Sequence, residues 1–286
     1  MRTETVIDTV ALQCNFCNEE KCNIVKNKIT ERLKSNDYYS SDGITFEYNY
    51  KTIATIEQGS FSYVTKDKKR ANTVCYLSIK LAGLKRSIAE IDMASHNALM
   101  LIISYLNTHK QAFKVTQLDV ALNIFTKFEN TLALCTKRYA TTQYYGANEE
   151  QPFTTTRYIE KFKNAKHKAD AVVHGCHYDK SAKEKLEYDL TRLEISFQKK
   201  FFKNNGFNVG AMYNEFYRYH VLYIPNQKRK QEIMDKYDSL TVIRQKDIKA
   251  LRLEMHRQHI DLYVLVDFTS KLYMVDDATL GTFMLQ

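Results

Sequence analysis

The chain has 286 residues, of which 44% are hydrophobic, and it carries 42 lysine and arginine residues against 33 aspartate and glutamate residues. This length is enough for one large domain or two modest domains with real cores. The formal charge of +9 favours polyanionic partners. No apolar run is long enough to span a bilayer and no secretory signal opens the sequence, which predicts a cytoplasmic protein without membrane partners.

The first part of the chain alternates between strand and helix patterns. Hydrophobic periodicity predicts a strand over residues 5–13, a helix over 18–35, strands over 44–56, 58–66 and 72–82, and a helix over 94–108. Cys14, Cys17 and Cys22, near the first strand-to-helix junction, have part of a zinc-ligand spacing. Because a complete site needs a second close pair of ligands, we interpret them as reduced thiols, with structural zinc as the alternative.

The second part repeats this order of elements. Periodicity predicts helices over 127–139 and 208–219, and strands over 113–124, 141–147, 153–159, 170–179 and 189–199. The repeat predicts an α+β fold, with a central, mainly antiparallel sheet of two similar halves flanked by helices. Pro225 marks a boundary between a domain over 1–224 and a small helical C-terminal region over 225–286, with helices over 227–237 and 245–259.

Two of the predicted strands carry an acid. Asp119 lies in the alternating run 115–122, where aspartate is disfavoured, and Glu194 lies in the run 190–197. In the second run Leu193, Ile195 and Phe197 face one way, so Glu194 shares the other face with Arg192 and Ser196. An acid in such a place needs a cation or a metal ion as its partner, although each acid alone is more simply a salt-bridged or solvated strand residue.

One tyrosine ends a strand pattern between these two acids in the sequence. Tyr178 follows the run 171–177 and precedes the polar Asp179 and Lys180. The chain has 20 tyrosines, and Tyr144 and Tyr145, which end another strand-like segment before a glycine, are the chief rivals. Two carboxylates and one tyrosine are the minimum for metal-assisted phosphoryl transfer to a tyrosine, and this combination suggests a DNA-nicking enzyme.

The order and spacing of these motifs resemble those of the rolling-circle replication initiators, both the Rep-trans type of plasmids and the initiators of filamentous phages. The resemblance rests on the segments 118–121, 178–184 and 192–194, it continues into 201–208, and upstream it includes 6–12 and 78–83. It therefore covers most of residues 5–222. The chain departs from the family pattern at Gln117, where the family has a basic residue before the aspartate strand.

The resemblance implies a role for each motif. Tyr178 would attack the scissile phosphodiester, leaving a 5′-phosphotyrosine and a free 3′ hydroxyl. Asp119 and Glu194 would hold Mg²⁺ or Mn²⁺, since hard cations prefer carboxylate oxygens. Lys180 has the spacing of a same-face strand neighbour of Tyr178 and would stabilise the phenolate. Glu184 would act as a base or a metal ligand, and His174 would assist the metal. Lys183 and Arg192 would contact the DNA.

Basic residues directly before the tyrosine strand extend the predicted DNA contact. They are Lys161, Lys163, Lys166 and Lys168. Cations interleaved with an aromatic residue suit the phosphates and bases of a single strand, whereas a solvated loop is the simpler interpretation. The resemblance implies single-stranded or extruded origin DNA as substrate and a host helicase and polymerase as partners, and it is compatible with a homodimer.

Two other functions fit the same residues. A sequence-specific DNA-binding regulator needs only the basic surface, and a metal-dependent phosphodiesterase would use Asp119 and Glu194 with water as the nucleophile. The fold cannot decide among these, because one scaffold supports several activities.

Overall fold

The computed structural model describes residues 2–64, 71–82, 89–135, 142–145, 156–159, 172–216, 218–236 and 261–264. These residues form two compact units. The N-terminal unit comprises residues within 7–118, and the C-terminal unit comprises residues 2–6 together with those within 119–264. The boundaries fall inside two long strands.

The N-terminal unit is a sheet with two helices. Its elements are β1 (Thr3–Phe16), α1 (Glu19–Lys34), β2 (Thr45–Tyr48), β3 (Lys51–Val64), β4 (Ala71–Ala82), α2 (Ala89–Thr108) and the first half of β5 (Phe113–Ile124). The strand order is β2-β3-β4-β1-β5, and the β2/β3, β3/β4 and β4/β1 pairs are antiparallel. Helices α1 and α2 pack on strands β3 and β4.

The C-terminal unit contains two sheets and several short helices. Its further elements are β6 (Thr131–Cys135), β7 (Thr142–Tyr145), β8 (Thr156–Ile159), β9 (Val173–Asp179), α3 (Lys180–Glu184), β10 (Thr191–Gln198), α4 (Lys199–Asn205), α5 (Val209–Phe216), β11 (Tyr219–Tyr223), α6 (Gln227–Lys236) and β12 (Asp261–Val264). The strand orders are β5-β10-β9-β8-β7 and β12-β11-β6. The α+β fold with a large, mainly antiparallel sheet flanked by helices, predicted from the sequence, is confirmed.

Local sequence explains where several elements begin and end. The side chain of Asn18 caps α1 by accepting a hydrogen bond from the backbone N–H of Lys21 at 2.9 Å. Acids in the first turn of α1 and bases in its last turn complement the helix dipole. The β2–β3 hairpin turns at Asn49 and Tyr50, both with positive φ, rather than near residue 57 as the sequence predicted.

The predicted helix over 127–139 is wrong in its described part. Residues Phe128–Asn130 form one short 3-10 turn, and β6 follows directly and pairs with β11. Apolar residues at 128, 132 and 133 satisfy a helical spacing as well as a strand, so only the pairing with distant β11 decides between them. Residues 136–139 lie outside the described residues.

The C-terminal region contains a strand as well as a helix. Helix α6 lies where a helix was predicted, and the predicted helix over 245–259 lies outside the described residues. Strand β12 pairs with β11, which itself occupies the end of the predicted helix over 208–219 and the residues after it. The division into 1–224 and 225–286 stays a prediction. Of the helices that the structure describes, none is both long enough and apolar enough to cross a membrane.

A buried hydrogen bond in the N-terminal unit gives a first prediction. The hydroxyl of Tyr38 donates to the backbone oxygen of Ala94 at 2.6 Å, and Tyr38 is 4% exposed. We expect Tyr38→Phe to lower the free energy of unfolding by about 1 kcal/mol in a urea titration, whereas Tyr39→Phe, at a position 67% exposed, should leave it unchanged.

The pH dependence of this difference follows from the pKa of Tyr38. Burial raises the pKa of the Tyr38 phenol above its ordinary value. Because the pKa is higher in the folded state, the contribution of the hydroxyl to the free energy of unfolding is full below the unfolded-state pKa of about 10. This contribution is lost as the pH rises through the folded-state pKa. The parent and Tyr38→Phe should therefore converge in stability at strongly alkaline pH. A constant difference across that range would contradict this assignment.

Candidate active site

Strands β9 and β10 place the predicted tyrosine and glutamate on one face of the sheet. In their antiparallel register Tyr178 lies opposite Arg192, Cys176 opposite Glu194, and His174 opposite Ser196. Directly opposite residues point to the same side of a sheet, and residues two apart on one strand do the same. These six side chains therefore share a face, which we call the site face.

The tyrosine and the glutamate of this face are joined directly. The Tyr178 hydroxyl donates a hydrogen bond to Oε2 of Glu194 at 3.0 Å. The Nζ of Lys183 lies 4.7 Å from the centre of the Tyr178 ring, and Tyr178 is only 5% exposed. A carboxylate that accepts the hydrogen bond of the phenol and a cation beside the ring are two features that can activate a tyrosine.

Arg192 is buried in the sheet beside this pair. It is 1% exposed, and its Nε donates to Oδ1 of Asn123 on β5 at 2.8 Å. Arg192 was predicted to contact DNA, but the structure places its guanidinium inside the fold, with an internal partner. Since Asn123 belongs to β5 and Arg192 to β10, this hydrogen bond links the two strands beside the tyrosine.

The second predicted acid belongs to the same face. Asp119 is 5% exposed and lies four residues before Asn123 on β5, so the two side chains point to the same side of the strand. Asn123 reaches Arg192, which is two residues from Glu194. Asp119 and Glu194 are therefore on one face of neighbouring strands.

These carboxylates suit a hard cation that completes its ligand shell with other oxygens. Among the residues that the structure describes, no group of three or more histidine, cysteine, aspartate and glutamate side chains is arranged to hold a metal ion. Mg²⁺ is commonly held by one or two carboxylates together with waters and substrate phosphates. A carboxylate also has about four lone-pair positions, so Glu194 can accept the tyrosine hydroxyl and still bind a cation.

The residues after the tyrosine form a helix, not a continuation of the strand. The side chain of Asp179 caps α3 by accepting from the backbone N–H of Ala182 at 2.9 Å. Lys180 is the first residue of this helix, is 2% exposed, and forms an ion pair with Glu184 at 3.2 Å. The same-face strand spacing predicted for Lys180 is therefore wrong, and Lys183 is the lysine whose ammonium lies over the tyrosine ring.

The two histidines of β9 point in opposite directions. His174 shares the site face and is 7% exposed, in agreement with the predicted spacing of four residues from Tyr178. The Nε2 of His177 lies 3.0 Å from Oγ1 of Thr131, and its ring is 4.8 Å from that of Phe128. His177 is thus a structural residue that packs against the start of β6.

Other predicted contacts are outside what the structure describes. Lys161, Lys163, Lys166 and Lys168 lie outside the described residues, so their role stays a prediction. The rival tyrosines Tyr144 and Tyr145 belong to β7, which pairs with β8 at the other end of the strand order from β5. Asn123 was missed by sequence reasoning, although its position four residues after Asp119 on an alternating strand was a usable signal.

The described cysteines of the N-terminal unit are free thiols, and burial opposes the ionisation of two of them. Burial, with a smaller effect of Cys22, raises the pKa of the Cys14 thiol to about 12. Burial likewise raises the pKa of the Cys22 thiol to about 11, whereas Cys17 is exposed. The thiolate is the reactive and metal-binding form, so this environment opposes zinc binding.

Alkylation gives the corresponding prediction. At pH 8, iodoacetamide should modify Cys17 in the folded protein and leave Cys14 and Cys22 unmodified until urea is added, as read by peptide mass mapping. Because neither buried thiol is ionised at this pH, adding a chelator should not change the pattern. Zinc released on unfolding, or modification of Cys14 as fast as that of Cys17, would contradict the assignment.

Comparisons with known proteins show a likeness to a solved structure. No protein-family model matches the chain, and no curated protein matches it. The chain is similar to the structure of a rolling-circle replication initiator protein from Geobacillus stearothermophilus, with a TM-score of 0.39 and 12% sequence identity over 80% of this chain and 91% of that chain.

Proposed function

We propose that the chain is a rolling-circle replication initiator that nicks single-stranded origin DNA with Tyr178 as its nucleophile. The observation that carries the proposal is the hydrogen bond from the Tyr178 hydroxyl to Glu194 on a face that also contains Asp119. The order of motifs in the sequence supports the same function. Origin DNA of a plasmid or phage, Mg²⁺ or Mn²⁺, a host helicase and polymerase, and a cytoplasmic location belong to this proposal.

The nucleophile is prepared by its neighbours. A phenol with an ordinary pKa of about 10 is mostly protonated near neutral pH, so it needs a base or a cation. Glu194 accepts the hydroxyl proton along an existing hydrogen bond, and the ammonium of Lys183 stabilises the negative charge that develops on the ring. Because Tyr178 is 5% exposed, bound DNA reaches the hydroxyl only after neighbouring side chains, Lys183 among them, move aside.

The chemical step exchanges one phosphodiester for another. The phenolic oxygen forms a bond to phosphorus while the bond from phosphorus to the 3′ oxygen breaks, and the proton passes from the phenol to Glu194. The leaving 3′ oxygen takes up a proton from water and becomes a hydroxyl that can prime synthesis. A divalent cation held by Asp119 and Glu194 would neutralise charge on the phosphate oxygens.

Buried polar groups on the site face hold Tyr178 and Glu194 in place. Arg192 keeps β5 and β10 in register through Asn123, and its charge lies on the same face as the two carboxylates. A buried guanidinium on the same face as two acids offsets their mutual repulsion while the site is empty of DNA. We assign Arg192 a positioning role, and His174 a place beside the metal or the phosphate.

An assay of label transfer tests the proposal. The protein is incubated with 5′- and 3′-labelled single-stranded fragments of its own replicon and Mn²⁺, and the products are separated on denaturing gels. We expect nicked DNA together with 3′ label covalently attached to the protein through the 5′ phosphate of the downstream fragment. Cleavage without attached label would support the water-using phosphodiesterase, and binding without cleavage would support the regulator; either result would overturn the proposal.

A further inference from the structure

The β3–β4 hairpin carries a row of aromatic rings on one face. Phe61 and Tyr63 are two residues apart on β3, and Tyr76 lies on β4 opposite Gly59, diagonal to Phe61. The ring centres of Phe61 and Tyr63 are 6.4 Å apart, and those of Phe61 and Tyr76 are 6.2 Å apart. We call these three residues the aromatic row.

The row is open to solvent. Phe61 is 43% exposed and Tyr63 is 48% exposed. The opposite face of β4 is different, since Cys75 and Leu77 there are buried. Large exposed aromatic residues in a contiguous row are unusual on a surface that has no partner.

A structural role explains one of the three rings but not the others. A Cβ at Gly59 would collide with the ring and hydroxyl of Tyr76, so the ring of Tyr76 lies across the glycine. Covering a glycine with an aromatic ring stabilises a strand pair, and this accounts for Tyr76. Phe61 and Tyr63 cover no glycine, so their exposure calls for another explanation.

The hairpin extends beyond the strands that flank it. Within the described residues, β1 pairs with β4 only as far as Cys75, and β2 pairs with β3 only as far as Thr55. The end of the hairpin is therefore a two-stranded ribbon, with side chains exposed on both faces. A two-stranded ribbon gains little stability from its own contacts, and rings placed there do not serve the core.

The charge of the sequence indicates the partner. The six residues that connect Val64 to Ala71 in the sequence include one acid and four cations, namely Lys66, Lys68, Lys69 and Arg70. Exposed rings stack with unpaired bases, and a chain with a formal charge of +9 attracts the phosphates of nucleic acid. Duplex DNA offers no free base faces, so the row fits a single strand better.

We propose that the aromatic row is a stacking surface for single-stranded DNA, separate from the residues of the site face. The choice of DNA over RNA rests on the proposed function, whereas the choice of an unpaired strand rests on the rings themselves. The row would bind the strand that becomes unpaired around the nick and would take no part in the chemical step. It thus affects the affinity for DNA and not the rate at saturating DNA.

Fluorescence anisotropy with labelled oligo(dT) tests this surface. The double variant Phe61→Ala with Tyr63→Ala should bind at least about 30-fold more weakly than the parent, because it removes two rings on which bases would stack. The variant Phe61→Tyr with Tyr63→Phe keeps two rings and should retain the parent affinity. As a matched control, Tyr39→Ala with Tyr50→Ala removes two exposed aromatic residues elsewhere in the same unit and should also retain it.

Four results would overturn the proposal. The first is an unchanged affinity of the alanine variant, and the second is an equal loss in the control. The third is a parent dimer that becomes a monomer when the row is removed, because the occupant would then be a second copy of the chain. An equal loss of affinity for a duplex of the same length would show that the hairpin binds duplex DNA instead, and it would also overturn the proposal.

The same variants separate this inference from the proposed function. If the alanine variant loses binding but the parent transfers no label to its tyrosine, the stacking surface stands and the nicking function fails. If the parent forms the covalent product and the alanine variant binds as tightly as the parent, the nicking function stands and the stacking surface fails. Circular dichroism of each variant confirms that the fold is retained.

Discussion

Tyr178→Phe is expected to form no covalent product with DNA and to nick at least about 10³-fold more slowly than the parent. The substitution removes one oxygen, which is the atom that would bond to phosphorus, and it leaves a ring of the same shape in a nearly buried position. It also leaves Glu194 without this hydroxyl donor. Nicking by the parent and the variant is compared on the same labelled single-stranded fragments.

The matched control is Tyr188→Phe. Tyr188 lies ten residues later in the chain, is 45% exposed and stacks on Phe125, so it is available to solvent but is not on the site face. The control should nick at the parent rate. If Tyr178→Phe retains nicking while the control is unaffected, water is the nucleophile and the covalent mechanism is wrong.

Glu194→Gln is expected to reduce nicking by about 10²- to 10⁴-fold without loss of DNA binding. The glutamine oxygen can still accept the hydrogen bond of Tyr178, so the tyrosine keeps its orientation. An amide cannot take up the phenolic proton, however, and it is a weaker ligand for a hard cation. The rate is measured at saturating DNA, and affinity is measured separately by anisotropy.

One control variant and two changes of condition separate the roles of this carboxylate. Glu187→Gln removes an exposed acid from the segment between α3 and β10 and should have no effect on the rate. The responses of the Glu194→Gln nicking rate to pH and to Mn²⁺ then distinguish a base from a metal ligand. If higher pH restores the rate, Glu194 acts on the phenolic proton; if higher Mn²⁺ restores it, Glu194 acts on the cation. An unchanged rate in Glu194→Gln would exclude both roles.

The strands that carry the site were predictable from the sequence because their faces differ. Around Glu194, apolar residues alternate with polar ones, and the structure confirms a strand over Thr191–Gln198 with Glu194 and Arg192 on one side. The same alternation placed Asp119 correctly on β5. The pattern gives the face of each residue directly, since a strand has a period of two residues.

Errors arose where distant contacts or helix caps decide the outcome. The run after Phe128 fits a helix equally well, and only its pairing with β11 makes it a strand. The alternation of β5 gives the face of Asn123, but its contact with Arg192, 69 residues later in the chain, follows from no local pattern. The two-residue spacing of Lys180 from Tyr178 predicts a shared strand face, whereas the side chain of Asp179 caps a helix that begins at Lys180.

Peptide mass mapping of the covalent product is the most direct test of the central claim. After reaction with single-stranded DNA and Mn²⁺, the product is digested with nuclease and protease, and the peptides that retain a nucleotide are identified. We predict one modified peptide, with a nucleotide joined through its 5′ phosphate to Tyr178. Modification of Tyr144 or Tyr145 instead, or nicked DNA without any modified peptide, would contradict the assignment of Tyr178 as the nucleophile.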